Sequence, residues 1–168
     1  MNINRSVSVN EVRKCAMDYF EKGFFCCEAV AAAIRECIAP DIPREIISMA
    51  SGMAVGVGSS GCMCGALNGG IMMLGLFFGR CEPMGPNDPT SINCMKLTHE
   101  LHSWFKKANG KNSVCCRVLT REFDTKNAEH KAQCIYFTGL CAGKTADIII
   151  RELGLERKDE ELNPIFES

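Results

Sequence analysis

An all-α fold is predicted for this chain by three observations. Apolar residues recur at three- and four-residue intervals in several separate windows. Alternation of period two never persists beyond four residues. The third observation is an uncharged stretch from Ile46 to Gly79, whose second half, GCMCGALNGGIMMLGLFFG, is too apolar to face water. With 168 residues the chain has the length of one domain, so the expected architecture is a single helical bundle around a buried, glycine-rich central helix. Residues 1–154 are read as the cysteine-rich helical domain and 155–168 as a polar C-terminal tail, the stretch expected to be least ordered.

Ser8 followed by Glu11 has the spacing of a capping box, and Val9, Val12, Cys15, Ala16, Tyr19 and Phe20 continue the first helix until Gly23. A second helix is expected from Cys26 to Ile38, apolar nearly all round and ended by Pro40. Asp41 and Pro43 suit the cap and first turn of a third helix, which gives way to the glycine-rich loop GMAVGVGSSG. The central helix follows Cys62 and Cys64, and its small residues Gly65, Ala66, Gly69, Gly70 and Gly75 allow close backbone approach.

The proline-rich CEPMGPNDP is a loop, after which Asp88 and Pro89 open a long helix ending near Asn109 and Gly110. A short segment then starts at Cys115-Cys116, and Arg121 to Asn127 reads as charged and exposed. Two final helices are expected, Ala128 to Phe137 and Leu140 to Leu153, separated at Gly139.

A net charge of −1 gives no general attraction to nucleic acid or to an anionic membrane. The run from Cys62 to Phe78 approaches the length of a bilayer span, but it holds Asn68 and several glycines and lacks aromatic or lysine flanks. Burial in a bundle or a homodimer interface is the simpler reading. The N-terminal MNINRSVSVNEVRKC shows no apolar export segment, so a cytoplasmic location is expected.

Cysteine usage is the main functional clue. Twelve cysteines stand in the chain, and in a reducing compartment such density points to metal binding or redox chemistry rather than to stapling. Cys15, Cys37 and Cys94 fall at ordinary apolar helix positions and read as core, whereas Cys81 lies in a loop. The others cluster as Cys26-Cys27, Cys62-x-Cys64, Cys115-Cys116, and Cys134 with Cys141. Cys26, Cys64 and Cys116 are placed at helix starts, as is Cys141 if the last helix begins after Gly139. There the helix dipole and unpaired N–H groups favour thiolate, the form that binds metal or is oxidised. No Cys-x-x-Cys is present, which argues against a thioredoxin-type motif or a zinc ribbon. His99 and His102, in HELH, miss the HExxH metalloprotease spacing and read as helix-surface residues.

These motifs resemble a known family. Cys64-Gly65-Ala66-Leu67-Asn68-Gly69 matches the CGAxxG signature of the redox-active proteins named for the pattern C_GCAxxG_C_C. GFFCCEAV resembles that family's first cysteine element, placing it at Cys26, and CCRVLTRE the third, at Cys116. The fourth falls at Cys141, or at Cys134 on a different count of the spacing, the former being preferred.

The resemblance spans roughly Val12 to Leu153 and implies an all-helical domain with a redox role and a four-cysteine site. It links that site to an iron–sulfur centre of the kind suspected in related domains attached to haem-bearing cytochromes. The expected function is thus electron transfer or redox sensing at Cys26, Cys64, Cys116 and Cys141, as redox-active residues and ligands, with Cys62 and Cys134 as further candidate ligands. An iron–sulfur cluster is the preferred cofactor, with zinc or none as alternatives. Rival functions are thiol–disulfide exchange, with Cys62 or Cys115 resolving an oxidised neighbour, and a structural zinc or metal-storage protein. The expected partner is a redox protein or a small thiol, with a second copy of the chain as dimer partner.

Overall fold

The computed structural model describes residues 2–123 and 128–159. Within them seven α-helices are arranged so that α2 (Cys26–Ile38), α4 (Gly65–Phe78) and α7 (Ala128–Leu153) each touch the other two. Around this trio, α1 (Val9–Glu21) lies along α2 and α7, and α5 (Pro89–Ala108) along α4 and α7. The short helices α3 (Glu45–Ser48) and α6 (Cys116–Thr120) sit in the connections. The only strands among the described residues are β1 (Ser6–Val7) and β2 (Glu156–Arg157), a two-residue parallel pair. The all-α expectation therefore holds.

Local chemistry explains most boundaries. Ser8 Oγ accepts the Glu11 N–H at 3.0 Å, as the capping spacing predicts. A second cap comes from far along the chain. The Asp159 carboxylate accepts the N–H groups of Val9 at 2.8 Å and Asn10 at 2.6 Å, and the Ser8 hydroxyl at 3.2 Å. Burial works against its charge, but the bonds from Asn10, Val9 and Ser8 hold Asp159 below the usual carboxylate range. The first residues of the expected polar tail are thus fastened to the body, while residues 160–168 lie outside the described residues. Of the charged stretch from Arg121 to Asn127, residues 124–127 lie outside them too. Asp88 caps α5 through the Ser91 N–H at 2.7 Å, with Pro89 in the first turn.

Two helix expectations are corrected. Asp41 and Pro43 do not open a helix: Ile42 N–H bonds back to the Ala39 carbonyl, and α3 begins only at Glu45 with no side-chain cap. The last two helices are one, running without a break through Gly139. A Cβ at Gly139 would come within 2.9 Å of the Met17 side chain, so this glycine lets α1 settle against α7 rather than ending the helix.

The expected close approach at α4 is real on one face. Added Cβ atoms would meet the Cys27 backbone oxygen at 2.6 Å from Gly69, and Thr145 Oγ1 at 2.5 Å from Gly70. Gly75, by contrast, faces open space. The small-residue face is therefore filled by α2, α5 and α7 of the same chain. Its neighbours Leu67, Met73 and Leu74 are fully buried with Ile34, Phe105 and Ile149, each contributing about 1.5–3 kcal/mol of burial. Phe105 meets Phe137 edge-on at 5.6 Å, joining α5 to α7.

Candidate functional site

Three chain segments begin helices at one place. Cys26 is the first residue of α2, Cys64 the N-cap of α4, and Cys116 the first residue of α6. The segment before α4 is bound to the segment before α6 by two backbone bonds, Cys64 N–H to the Val114 carbonyl at 2.8 Å and Arg117 N–H to that of Gly61 at 2.9 Å. Between those bonds a disulfide joins Cys62 to Cys115, across 53 residues of sequence and a Cα separation of 4.3 Å. It leaves Cys64 and Cys116, the next residues but one and next along, facing a common space.

The run leading into Cys62 has unusual backbone. Val55, Gly56, Val57, Gly58 and Ser59 all have positive φ, between 52° and 71°. For the two β-branched valines this conformation costs roughly 1–2 kcal/mol each. Bonds from Val57 N–H to the Met53 carbonyl and from Cys62 N–H to that of Gly56 hold the turn. Gly56 has no room for a side chain, because a Cβ would stand 2.4 Å from the Cys62 nitrogen.

The common space is a small cavity lined by Cys26, Cys64, Cys116 and Cys134, with Leu119 and Phe137 among its apolar walls. Gly65 completes it, since a Cβ there would lie 2.5 Å from Cys26 Sγ. Cys134 and Cys141 are seven residues apart on α7, two turns along one face. Cys141 is fully buried behind the cavity, near enough to Cys64 and Cys26 to feel their charge. Of the expected set, Cys26, Cys64 and Cys116 therefore line one cavity, Cys141 stands at its back, and Cys134 supplies the fourth wall thiol. Cys141 is mid-helix, not at a helix start. Cys62 is committed to its disulfide.

The thiols are not acidic. Hydrogen bonding to Cys27 and burial push Cys26 well up, although the Cys27 and Val55 N–H groups pull it down. Burial also raises Cys64, against the N–H groups of Leu67 and Ala66. It raises Cys116 too, pushes Cys134 up to about 12, and holds Cys141 well above the usual thiol range. The helix-start effect expected from the sequence is present, but desolvation and thiol crowding exceed it. These cysteines stay protonated at neutral pH unless a cation or an oxidant removes the proton.

Among the described residues no three Cys, His, Asp or Glu side chains are already set as a closed metal site. The donor chemistry nonetheless fits a soft ion: four thiols in apolar walls are the ligand set of zinc or iron–sulfur centres. The cavity is about 20 Å³, enough for one water-sized occupant, which needs roughly 10–15 Å³. Binding an ion or a cluster therefore requires these thiols to draw together from their present positions, since no three of them are set to hold one.

Other cysteines fall elsewhere. Cys27 is buried and donates to the Ala50 carbonyl at 3.1 Å, and Cys81 is exposed. Cys15 and Cys37, read as core, are half-buried and face each other across α1 and α2. His99 and His102 sit with rings 6.5 Å apart on the α5 surface. The pairings Cys62–Cys115 and Cys15–Cys37 were invisible in sequence, since each joins residues from separate elements. No described helix is long and apolar enough to cross a membrane.

A family model described as "Putative redox-active protein (C_GCAxxG_C_C)" matches residues 24–148. The solved structures include a split-Soret cytochrome c from Desulfovibrio desulfuricans ATCC 27774, reported with a novel iron centre. It superposes with a TM-score of 0.68 at 19% identity, covering 89% of this chain and 70% of that one. At that identity the likeness shows a shared helical fold. No curated protein matches the chain.

Proposed function

We propose, from the premise that this chain belongs to the C_GCAxxG_C_C family of redox-active proteins, that it carries electrons at an iron centre held by Cys26, Cys64, Cys116 and Cys134, with Cys141 in reserve behind them. The observation that carries this reading is the meeting of four thiols from four separate segments at one small, apolar cavity. The iron centre reported for the structurally similar cytochrome supports iron over zinc. An iron–sulfur cluster is the finer form of the proposal, and when bound it would supply one-electron chemistry. The chain's own part is to gather the ligands, exclude water through Leu119 and Phe137, and give up thiol protons as the metal enters. Binding should therefore tighten as pH rises toward the thiol range.

Anaerobic purification with iron and acid-labile sulfide analysis tests the reading. Stoichiometric iron with equal sulfide, lost in Cys26→Ser and Cys64→Ser, is the expected result. Iron without sulfide would reduce the proposal to a single-ion site. Protein that takes up neither, while fully reduced and folded, ends it. A second reading is favoured by the Cys62–Cys115 disulfide, which stands beside Cys64 and Cys116 and could exchange with them. In that case mild oxidation of metal-free protein yields Cys64 or Cys116 in a mixed pairing with Cys62 or Cys115.

A further inference from the structure

A second thiol pair stands apart from the iron-site candidate. Cys15 on α1 and Cys37 in the last turn of α2 are half-buried and line one groove together. Eleven residues of α2 separate Cys26 from Cys37, about 16 Å of helix. The pair opens on a groove of about 350 Å³ flanked by Lys14 and Lys22 and by the carboxylates of Glu11, Asp18 and Glu36. Cys37 also borders an adjoining groove of about 530 Å³ that adds Arg5 and Lys158. Both signs of charge therefore line the grooves beside the sulfurs. The Tyr19 hydroxyl donates to the Glu36 carboxylate and fixes one wall.

We propose that Cys15 and Cys37 form a surface dithiol that exchanges with small disulfides bearing both carboxylate and ammonium groups, of the glutathione class. The Cys37 sulfur attacks one sulfur of the incoming disulfide, and the bond between its two halves breaks. A mixed disulfide on Cys37 forms and one small thiolate leaves. Cys15 then gives up its proton to solvent and attacks the Cys37 sulfur, releasing the second small thiol. Two protein thiols are oxidised to one disulfide, and one small disulfide is reduced to two thiols, so atoms and electrons balance. The order follows from access: Cys37 borders both grooves, whereas Cys15 borders only the first, and the Cys15 thiol helps by holding Cys37 below the usual thiol range. The site does not depend on the iron reading, because neither sulfur lines the buried cavity.

The test uses the full reduced chain, without oxygen, challenged with oxidised glutathione and quenched at intervals for peptide mapping by mass spectrometry. The unmutated chain is expected to show a transient glutathione adduct on Cys37, then a Cys15–Cys37 disulfide. Cys15→Ser is expected to hold the adduct on Cys37, and Cys37→Ser to slow reaction at Cys15 at least tenfold. An adduct that appears first on Cys15, or an adduct on Cys37 that never resolves in the unmutated chain, overturns the proposal. Circular dichroism of each variant separates loss of exchange from loss of fold, and the time course of the unmutated chain decides the question without any variant.

Discussion

The two ends of α2 carry the same chemical group in opposite settings. At its start, Cys26 faces a cavity walled by thiols and apolar side chains, and its proton is held tightly. At its end, Cys37 faces a wet groove of mixed charge, and its partner thiol pulls its range down. Helix position would suggest the reverse, since the dipole favours thiolate at the N-terminus and disfavours it at the C-terminus. Burial and the neighbouring sulfur decide instead, because moving a charged group out of water outweighs the fraction of a charge at a helix end. Thiols walled by apolar side chains suit a ligand that replaces the proton, and thiols on a groove of mixed charge suit exchange with a disulfide that arrives from solvent.

The largest expected effect strikes the buried end. Gly69→Ala drives a methyl into the Cys27 backbone, and since backbone cannot turn aside, about 2 kcal/mol or more of stability should be lost. Gly75→Ala on the same helix meets nothing, and should stabilise by roughly 0.5–1 kcal/mol through helix propensity. Urea unfolding of both variants checks the pair. Equal effects would mean that α4 does not press its glycine face against α2.

An intermediate effect separates the ends by pH. In metal-free protein the thiol of Cys134 is raised from 9.0 to about 12. Its folded form keeps a proton that the unfolded chain loses, so this stability is complete below pH 9 and fades as pH rises toward 12. By pH 10 one such group should cost about 1 kcal/mol, seen as a falling thermal midpoint. Cys134→Ala should lessen that fall by about this amount, the remainder coming from the other raised thiols Cys26, Cys64, Cys116 and Cys141. No loss of stability between pH 9 and 12 would mean that the cavity is wet and the thiol unshifted.

The smallest effect concerns how the start of α2 is fastened. Glu28 accepts the Phe25 N–H at 2.8 Å and also holds the Ser51 hydroxyl. Glu28→Ala should cost about 0.5–1 kcal/mol, the usual price of an exposed cap, while leaving exchange at Cys37 unaltered. A change in Cys37 reactivity in this variant would show that the two ends are coupled through the helix.

How far the sequence could be read follows from which forces were local. The bounds of α2, the Ser8 and Asp88 caps and the buried face of α4 all rest on neighbours within a turn or two, and all were legible. The meeting of Cys26, Cys64 and Cys116 was foreseeable because each stands at a helix start beside a turn. Cys134 and Cys141 could not be separated from the sequence, because α7 runs unbroken through Gly139 and carries both on one face, two turns apart. The raised thiols were missed for a similar reason: a helix start can be read from sequence, but the depth of burial around it cannot. Asp159 looked like part of a solvated tail, and only the folded chain shows it 150 residues away from the Val9 N–H that it binds.

The run from Val55 to Ser59 carries one more implication. Its residues trace a turn of mirror-image hand, so the usual chiral preference is inverted there. At Gly58, where even an ordinary methyl would find empty space, a chemically synthesised chain bearing D-alanine should fold more firmly than the natural one, because that enantiomer is at ease where L-residues are crowded.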